Sequence, residues 1–233
     1  MPRISSRRVI IGVPAGLALL LAFWPSAGSL QAQAPTPVRR VNVPYRAVGG
    51  DFHRDAEGTA GRAAEAALPA VVKPARQGSS IGMTMVKDAA GMRAALEVAF
   101  EFDSIALVEE RIEGTELTVG IIGNRDLQAL PVVEIVSKRE FFDFRAKYDP
   151  GLCEEIVPAR IPDEVARAAQ DIAVRAHRAL GCRNLSRVDL MQASRGPVVL
   201  EVNTMPGMTV NSLLPKAAKA AGIPFAELDE PEE

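Results

Sequence analysis

From residue 68 onward, short apolar runs alternate with segments in which apolar residues recur at helical spacing. The short runs predict strands over residues 70–72, 83–86, 105–108, 117–122, 127–136, 185–192 and 198–202. The helical spacing predicts helices that begin at Asp88, Asp163 and Ser212, and Gly181 is a typical stop for the second. Upstream, we expect an edge strand near residues 43–48 and a short helix over residues 57–67. Residues 141–151 show no period and predict a long loop. This mixed order predicts an α+β layered domain.

The first 34 residues follow a different pattern. Three arginines precede an apolar run from Val9 to Trp24, and small residues come after it. This order is typical of a secretory signal or membrane anchor, and Arg7-Arg8 resembles a twin-arginine start. The run is short for a membrane-spanning helix, which needs about 20 residues. The alternative is that the true start lies further along the chain and that residues 1–34 have no structural meaning.

Composition and charge narrow the class of protein. Hydrophobic residues make up 48% of the 233 residues, which excludes a wholly disordered chain. The net charge of −2 provides no basic field, so we expect no nucleic-acid partner. Six of the 27 basic residues and none of the 29 acidic residues precede Asp51. The chain therefore has a basic part before Asp51 and an acidic part from Asp51 onward. The two cysteines match no metal-binding spacing and weakly favour a reducing compartment.

The segment with the most informative chemistry is a predicted hairpin over residues 187–203. If its turn is centred on Arg195, Asp189 lies opposite Glu201 and Arg187 lies opposite Asn203. Because side chains alternate between the two faces of a strand, these four share one face. The other face then carries core residues, namely Val188, Leu190, Leu200 and Val202. Two opposed carboxylates repel each other unless a cation lies between them, and carboxylate and amide oxygens are ligands for Mg²⁺. The alternative is a solvated polar face on which Arg187 forms a cross-strand salt bridge.

Three other segments carry weaker indications of nucleotide binding. Lys73 ends a predicted strand and precedes a loop with Gly78, Ser79 and Ser80, whose amides and hydroxyls are suited to phosphate groups. Glu109 and Glu116 flank a turn between two strands, where a base and a ribose could be held. Lys147 lies in the long loop beside Tyr148. The commoner explanation is a surface hairpin loop with turn glycines for the first segment and solvated surface residues for the other two.

Together these motifs resemble the ATP-grasp domain of the D-alanine–D-alanine ligases. The resemblance rests on residues 68–82, 109–119, 146–148 and 187–189 and on the run Leu200-Glu-Val-Asn-Thr-Met-Pro-Gly-Met-Thr209. It extends from residue 68 to about residue 228 and faintly back to residue 43. It implies an ATP-grasp fold and an ATP-dependent ligase that joins two D-alanines through an acylphosphate, for peptidoglycan synthesis.

The resemblance also implies a role for each matching residue. ATP phosphates would be contacted by Lys73 and Lys147, adenine by Glu109 and the backbone after it, and ribose by Glu116. Two Mg²⁺ ions, or Mn²⁺ in their place, would be held by Asp189, Glu201 and Asn203. Arg187 would stabilise the oxyanion, and Ser79 and Tyr148 would position the substrate. Gly207 and Ser212 would meet the second D-alanine. A homodimer like that of the family is a further implication.

The resemblance predicts four regions: a signal or anchor over residues 1–34, a linker with part of the small ATP-grasp subdomain over 35–67, the ligase domain over 68–228 and an acidic tail over 229–233. No motif of the family's N-terminal Rossmann-like domain is found, and Asn184 stands where the family has glycine. We therefore expect a partial ligase, and the alternative is a non-catalytic remnant that binds Mg-ATP. Use of ATP predicts a cytoplasmic protein, whereas residues 9–24 would favour membrane contact or export.

Overall fold

The computed structural model describes residues 45–48, 55–65, 68–137 and 153–228. This part of the chain forms two antiparallel sheets with helices packed against them. The strands are β1 (Tyr45–Val48), β2 (Ala70–Pro74), β3 (Thr84–Val86), β4 (Ala106–Glu110), β5 (Thr115–Ile122), β6 (Gln128–Ala129), β7 (Val133–Ser137), β8 (Cys153–Ile156), β9 (Leu185–Ala193) and β10 (Gly196–Asn203). The helices are α1 (Ala56–Ala64), α2 (Met92–Phe100), α3 (Asp163–Ala179) and α4 (Leu213–Ala220). Short 3₁₀ turns occupy Ala89–Gly91 and Phe225–Leu228.

The first sheet has four strands in the order β1-β4-β2-β3. Helices α1 and α2 bury their apolar faces in the same core as strands β2 and β4, around Val72, Leu96 and Val108. The helical spacing predicted after Asp88 is confirmed, because one face of α2 is buried, with Met92, Ala95, Leu96 and Ala99. Asp88 caps the 3₁₀ turn just before α2 by accepting hydrogen bonds from the amides of Ala90 and Gly91.

The second sheet runs in the order β10-β9-β5-β7-β8, and β6 pairs with β5. Alternation along β5 divides its side chains between two faces. Leu117, Val119 and Ile121 belong to the core that includes α3. On the other face, a Cβ on Gly120 would lie within 3.3 Å of Leu214 of α4, so the strand packs closely beneath this helix. The same face carries Glu116 and Thr118 into the site described below.

Most predicted elements occur where expected, with shifts of a few residues at their ends. The single strand predicted over residues 127–136 is wrong, because the structure has β6 and β7 with residues 130–132 between them. Pro131 lies in this interruption, and proline lacks the N–H that a central strand needs for its ladder. Strand β8 was not predicted. The long loop expected over residues 141–151 lies outside the described residues.

The two sheets follow each other along the chain. All strands of the first sheet precede Gly114 and all strands of the second follow it, so the described chain passes between them at residues 111–114. An ion pair between Arg195, in the β9–β10 turn, and Glu110, at the end of β4, also joins them at 3.0 Å. None of the described helices is long and apolar enough to cross a bilayer.

Candidate functional site

A cleft of about 660 Å³ lies between the two sheets. This volume is within the range of small-molecule sites in proteins. The first sheet contributes Val71, Lys73 and Glu109 to its wall, and the second contributes Glu116, Asp189 and Glu201. The link at residues 111–114 and the Gly/Ser loop after β2 close two further sides. Six of the residues predicted from sequence to bind ligands therefore face one cavity: Lys73, Ser79, Glu109, Glu116, Asp189 and Glu201.

The register of the β9–β10 hairpin confirms the predicted pairing. Asp189 pairs with Glu201, and Arg187 pairs with Asn203. The turn itself is tighter than expected, because Ala193 pairs with Gly196, and a bulge between Val199 and Glu201 restores the predicted register. Because of the bulge, the prediction that Leu200 belongs to the core is wrong. Leu200 lines the cleft instead of joining Val188, Leu190 and Val202 in the core.

Asp189 is the centre of a buried polar network and is only 8% exposed. Arg187 donates to both carboxylate oxygens, with Nε 2.8 Å from Oδ1 and Nη2 2.7 Å from Oδ2. Thr118 on β5 donates its hydroxyl to Oδ1 at 2.6 Å. Burial acts to raise the pKa of Asp189, but the hydrogen bonds and charge of Arg187 outweigh it and leave this pKa below its ordinary value. The carboxylate is therefore held ionised.

The donor set fits a hard divalent cation. Asn203 places its amide beside both carboxylates, with Nδ2 3.2 Å from Glu201 Oε1 and 3.4 Å from Asp189 Oδ2. If the amide turns over, its oxygen replaces its nitrogen at the same place, so three oxygen ligands would converge there. Among the described residues, no group of three or more His, Cys, Asp or Glu side chains is arranged to hold a metal. Two carboxylates and one amide suffice for Mg²⁺ when phosphate oxygens and water supply the other ligands.

The opposite wall carries an ion pair that the sequence did not predict. Lys73 Nζ lies 2.7 Å from Glu109 Oε2, and both side chains are 26% exposed. The amide of Arg111, in the link after β4, donates a hydrogen bond to the carbonyl of Pro69 at 2.9 Å. This amide is therefore not available to a ligand in the cleft. Arg111 and Ile112 still line the cleft. The predicted phosphate and adenine residues thus meet at one point on the wall.

Ser79 lies in a turn of unusual backbone conformation. The amide of Ile81 donates to the carbonyl of Gly78 at 3.1 Å. The two central residues, Ser79 and Ser80, have φ of 53° and 60°. Positive φ at both central positions is the mirror-image form of the common turn, which glycine and asparagine favour. A non-glycine residue there costs about 1–3 kcal/mol and tends to occur at functional sites.

Gly207 and Ser212 contact each other outside the lining of the cleft. A Cβ on Gly207 would come within 2.9 Å of Ser212 Oγ, so only glycine fits there without movement. Ser212 Oγ accepts from the amide of Thr209 at 3.1 Å, which folds residues 207–212 into a compact segment before α4. The structure brings these two predicted residues together, but neither is among the residues that line the cleft. Lys147 and Tyr148 lie outside the described residues.

Sequence reasoning missed Thr118, which supports Asp189 from the neighbouring strand. Its hydroxyl shares a face with Glu116 because the two residues are two positions apart on β5. That spacing was visible in the sequence, but the pairing of β5 with β9 was not, because the two strands are about 70 residues apart. The contact between Thr118 and Asp189 could not be predicted from the sequence, because it depends on this long-range pairing.

Comparisons with known proteins identify the family. The family described as "D-ala D-ala ligase C-terminus" matches residues 43–230. This chain belongs to the D-alanine–D-alanine ligase family. It is 49% identical over 167 residues to the D-alanine–D-alanine ligase of Pelotomaculum thermopropionicum, covering 71% of this chain and 52% of that protein. The ligase of Syntrophobacter fumaroxidans is 46% identical over 163 residues, covering 69% of this chain and 52% of that protein.

Solved structures of ligases show the same fold. The VanG D-Ala:D-Ser ligase of Enterococcus faecalis aligns with a TM-score of 0.68 at 35% identity, covering 80% of this chain and 54% of that one. The D-alanine–D-alanine ligase of Bacillus anthracis complexed with ATP aligns with a TM-score of 0.61 at 33% identity, covering 79% and 57%. The architecture is therefore the expected α+β ATP-grasp fold. The chain spans about half the length of the curated relatives it matches.

The structure explains the departure at Asn184. This residue has φ of 62°, a left-handed conformation that asparagine adopts more readily than most residues. Its amide donates to Asn124 Oδ1 at 2.9 Å, and its own Oδ1 accepts from Asn124 Nδ2 at 2.9 Å. The two side chains therefore lock the turn before β9. The hairpin that follows this turn has the register described above.

Proposed function

We propose that this chain binds Mg-ATP in the cleft between its two sheets and acts as the ATP- and metal-binding part of a D-alanine–D-alanine ligase. The observation that carries the proposal is the placement of Asp189 and Glu201 across the cleft from Lys73. Anionic ligands on one wall and a cation on the other suit a metal-nucleotide complex, whose phosphates bind both. The relatives' names and the ATP-bound neighbour support the same assignment.

Each wall has a proposed task. Lys73 and Lys147 contact the phosphates. The turn that contains Ser79 offers backbone N–H groups and hydroxyls to the same phosphates. Glu109 and the backbone after it meet adenine, and Glu116 accepts hydrogen bonds from the ribose hydroxyls. The ion pair between Lys73 and Glu109 keeps both side chains on this wall before nucleotide enters.

Two Mg²⁺ ions, or Mn²⁺ in their place, are proposed for the hairpin. Asp189, Glu201 and Asn203 would hold them, and the bound ions would neutralise charge on the phosphates. Thr118 and Arg187 fix the orientation of the Asp189 carboxylate. Support from such neighbouring groups commonly tunes metal affinity.

The proposed reaction has two steps. The carboxylate of one D-alanine attacks the γ-phosphorus of ATP and ADP leaves, which gives an acylphosphate. The amine of a second D-alanine then attacks the acyl carbon, and inorganic phosphate leaves as the amide forms. Arg187 stabilises the developing oxyanion. Ser79 and Tyr148 position the substrate, and Gly207 and Ser212 contact the second D-alanine. This use of ATP for cell-wall precursors places the proposed activity in the cytoplasm.

Isothermal calorimetry with ATP in the presence and absence of Mg²⁺ tests the site. Glu201→Gln removes one charged metal ligand and should weaken Mg-dependent ATP binding by at least about tenfold, or ~1.4 kcal/mol. Glu154→Gln, on the exposed side of β8 and away from the cleft, is the matched control and should leave affinity unchanged. Equal affinities for both variants would exclude the proposed metal site.

A second candidate function is Mg-ATP binding without ligase turnover, because Gly207 and Ser212, proposed to contact the second D-alanine, are not among the residues that line the cleft. A coupled phosphate-release assay with and without D-alanine separates the two. Release that depends on D-alanine and is lost in Glu201→Gln indicates a ligase. Tight Mg-ATP binding without such release indicates the second function.

A further inference from the structure

The Gly/Ser loop after β2 is tied at both ends to one corner of the first sheet. We call residues 102–105, between α2 and β4, the Asp103 corner. The Ala75 amide donates to the Ile105 carbonyl at 2.9 Å, and Gln77 Nε2 donates to the Phe102 carbonyl at 3.2 Å. At the other end of the loop, a Cβ on Gly82 would lie 2.6 Å from the Phe102 ring. Both ends of the loop therefore rest on this corner.

Asp103 is the main polar link between corner and loop. Its side chain is only 2% exposed and accepts from the Arg76 amide at 2.7 Å and from Arg76 Nε at 3.1 Å. The Ile105 amide adds a further hydrogen bond at 3.2 Å. Arg76 Nη2 reaches Asp103 Oδ1 and also Ser104 Oγ at 2.9 Å. Neither Asp103 nor Arg76 lines the cleft, so both act on a ligand only through the loop.

The loop needs such support because its turn is strained. Ser79 and Ser80 both have positive φ, and conformations of this kind persist only where the surroundings hold them. On this basis, and resting on the proposed function, we propose that Asp103 is a positioning residue for the nucleotide. Through Arg76 it holds the Ser79–Ser80 turn in the form that receives the phosphates. The hydrogen bond from Arg76 lowers the pKa of Asp103 to about 2, so the Asp103 carboxylate is ionised at neutral pH.

The test compares ligands with and without phosphates. Asp103→Asn should weaken binding of ATP roughly tenfold and leave binding of adenosine within about twofold, because adenosine does not need the turn. Arg76→Gln changes an exposed side chain and should act in the same direction even if Asp103→Asn folds poorly. Glu101→Gln, an exposed carboxylate beside the corner, is the control.

Hydrogen exchange on the ligand-free chain gives an independent readout. Asp103→Asn should speed exchange of amides 76–82 and leave those of β9 and β10 unchanged. Unaltered exchange in the loop, or equal loss of ATP and adenosine affinity, overturns the inference. If the wild-type chain binds neither ligand, the proposed function fails and the inference falls with it. If the wild type and Asp103→Asn bind ATP equally well, only the inference fails.

Discussion

At the scale of single residues, the site depends on side chains that support others. Asp189 is buried, and a buried carboxylate stays ionised only when donors offset the loss of water. Arg187 supplies charge and two hydrogen bonds, while Thr118 supplies one more from a separate strand. Orientation of the proposed metal ligand is therefore shared between β5 and β9.

Thr118→Val tests this support with a side chain of nearly the same shape. Loss of the hydroxyl should lower the free energy of unfolding by about 1 kcal/mol and weaken Mn²⁺ binding, measured by electron paramagnetic resonance with ATP present, by about tenfold. Thr118→Ser keeps the hydroxyl and should recover most of the Mn²⁺ affinity. Equal Mn²⁺ affinities for the valine and serine variants would show that the hydroxyl has no part in metal binding.

Asp103 makes stability depend on pH in a defined window. Its pKa of about 2, lowered by the hydrogen bond of Arg76 from an ordinary 3.8, means that the ionised form is favoured in the folded chain. The contribution is present above about pH 4 and is lost as pH falls towards 2. Urea unfolding of the wild type and Asp103→Asn should therefore show the full stability difference above about pH 5 and converge near pH 2. A difference that grows as pH falls would contradict the assignment.

At the scale of elements, the hairpin shows what sequence can and cannot predict. Alternation of polar and apolar residues, with a turn centred on Arg195, predicted the pairing of Asp189 with Glu201; the pairing is correct because the tighter turn and the bulge offset each other. The position of Leu200 was wrong because a bulge adds a residue to one strand and is invisible in the alternation. Similarly, the ion pair of Lys73 with Glu109 depends on β2–β4 pairing, which local pattern does not specify.

Gly114 fixes where the link enters the second sheet. It has φ of 158°, and a Cβ there would lie 2.1 Å from the Gln192 carbonyl oxygen of β9. Because this atom belongs to a paired backbone, Gly114→Ala should destabilise the chain by at least about 2 kcal/mol in urea unfolding. Gly61→Ala, in α1 with no atom near the added Cβ, should instead stabilise it by about 0.5–1 kcal/mol. Equal effects of the two substitutions would rule out the close approach as the cause.

At the scale of the whole molecule, the described residues form separate apolar cores on either side of the cleft. The first core joins β2, β3 and β4 with α1 and α2, and the others join the second sheet with α3 and α4. Between the sheets lie the link at residues 111–114 and the exposed Arg195–Glu110 pair. Pairs of this kind contribute about 0–1 kcal/mol. The two sides should therefore unfold with some independence until a ligand joins them.

Leu96→Ala tests this independence, because Leu96 is fully buried in the first core. The substitution should lower the free energy of unfolding of the first core by about 2–5 kcal/mol. Hydrogen exchange should then rise in β2 and β4 while β9 and β10 keep their protection. Mg-ATP at about 100 times its Kd stabilises the state in which both walls are formed by about 2.7 kcal/mol. It should therefore restore the hydrogen-exchange protection of β2 and β4. A uniform rise across both sheets would instead show one cooperative unit, in which the cleft does not separate the molecule energetically.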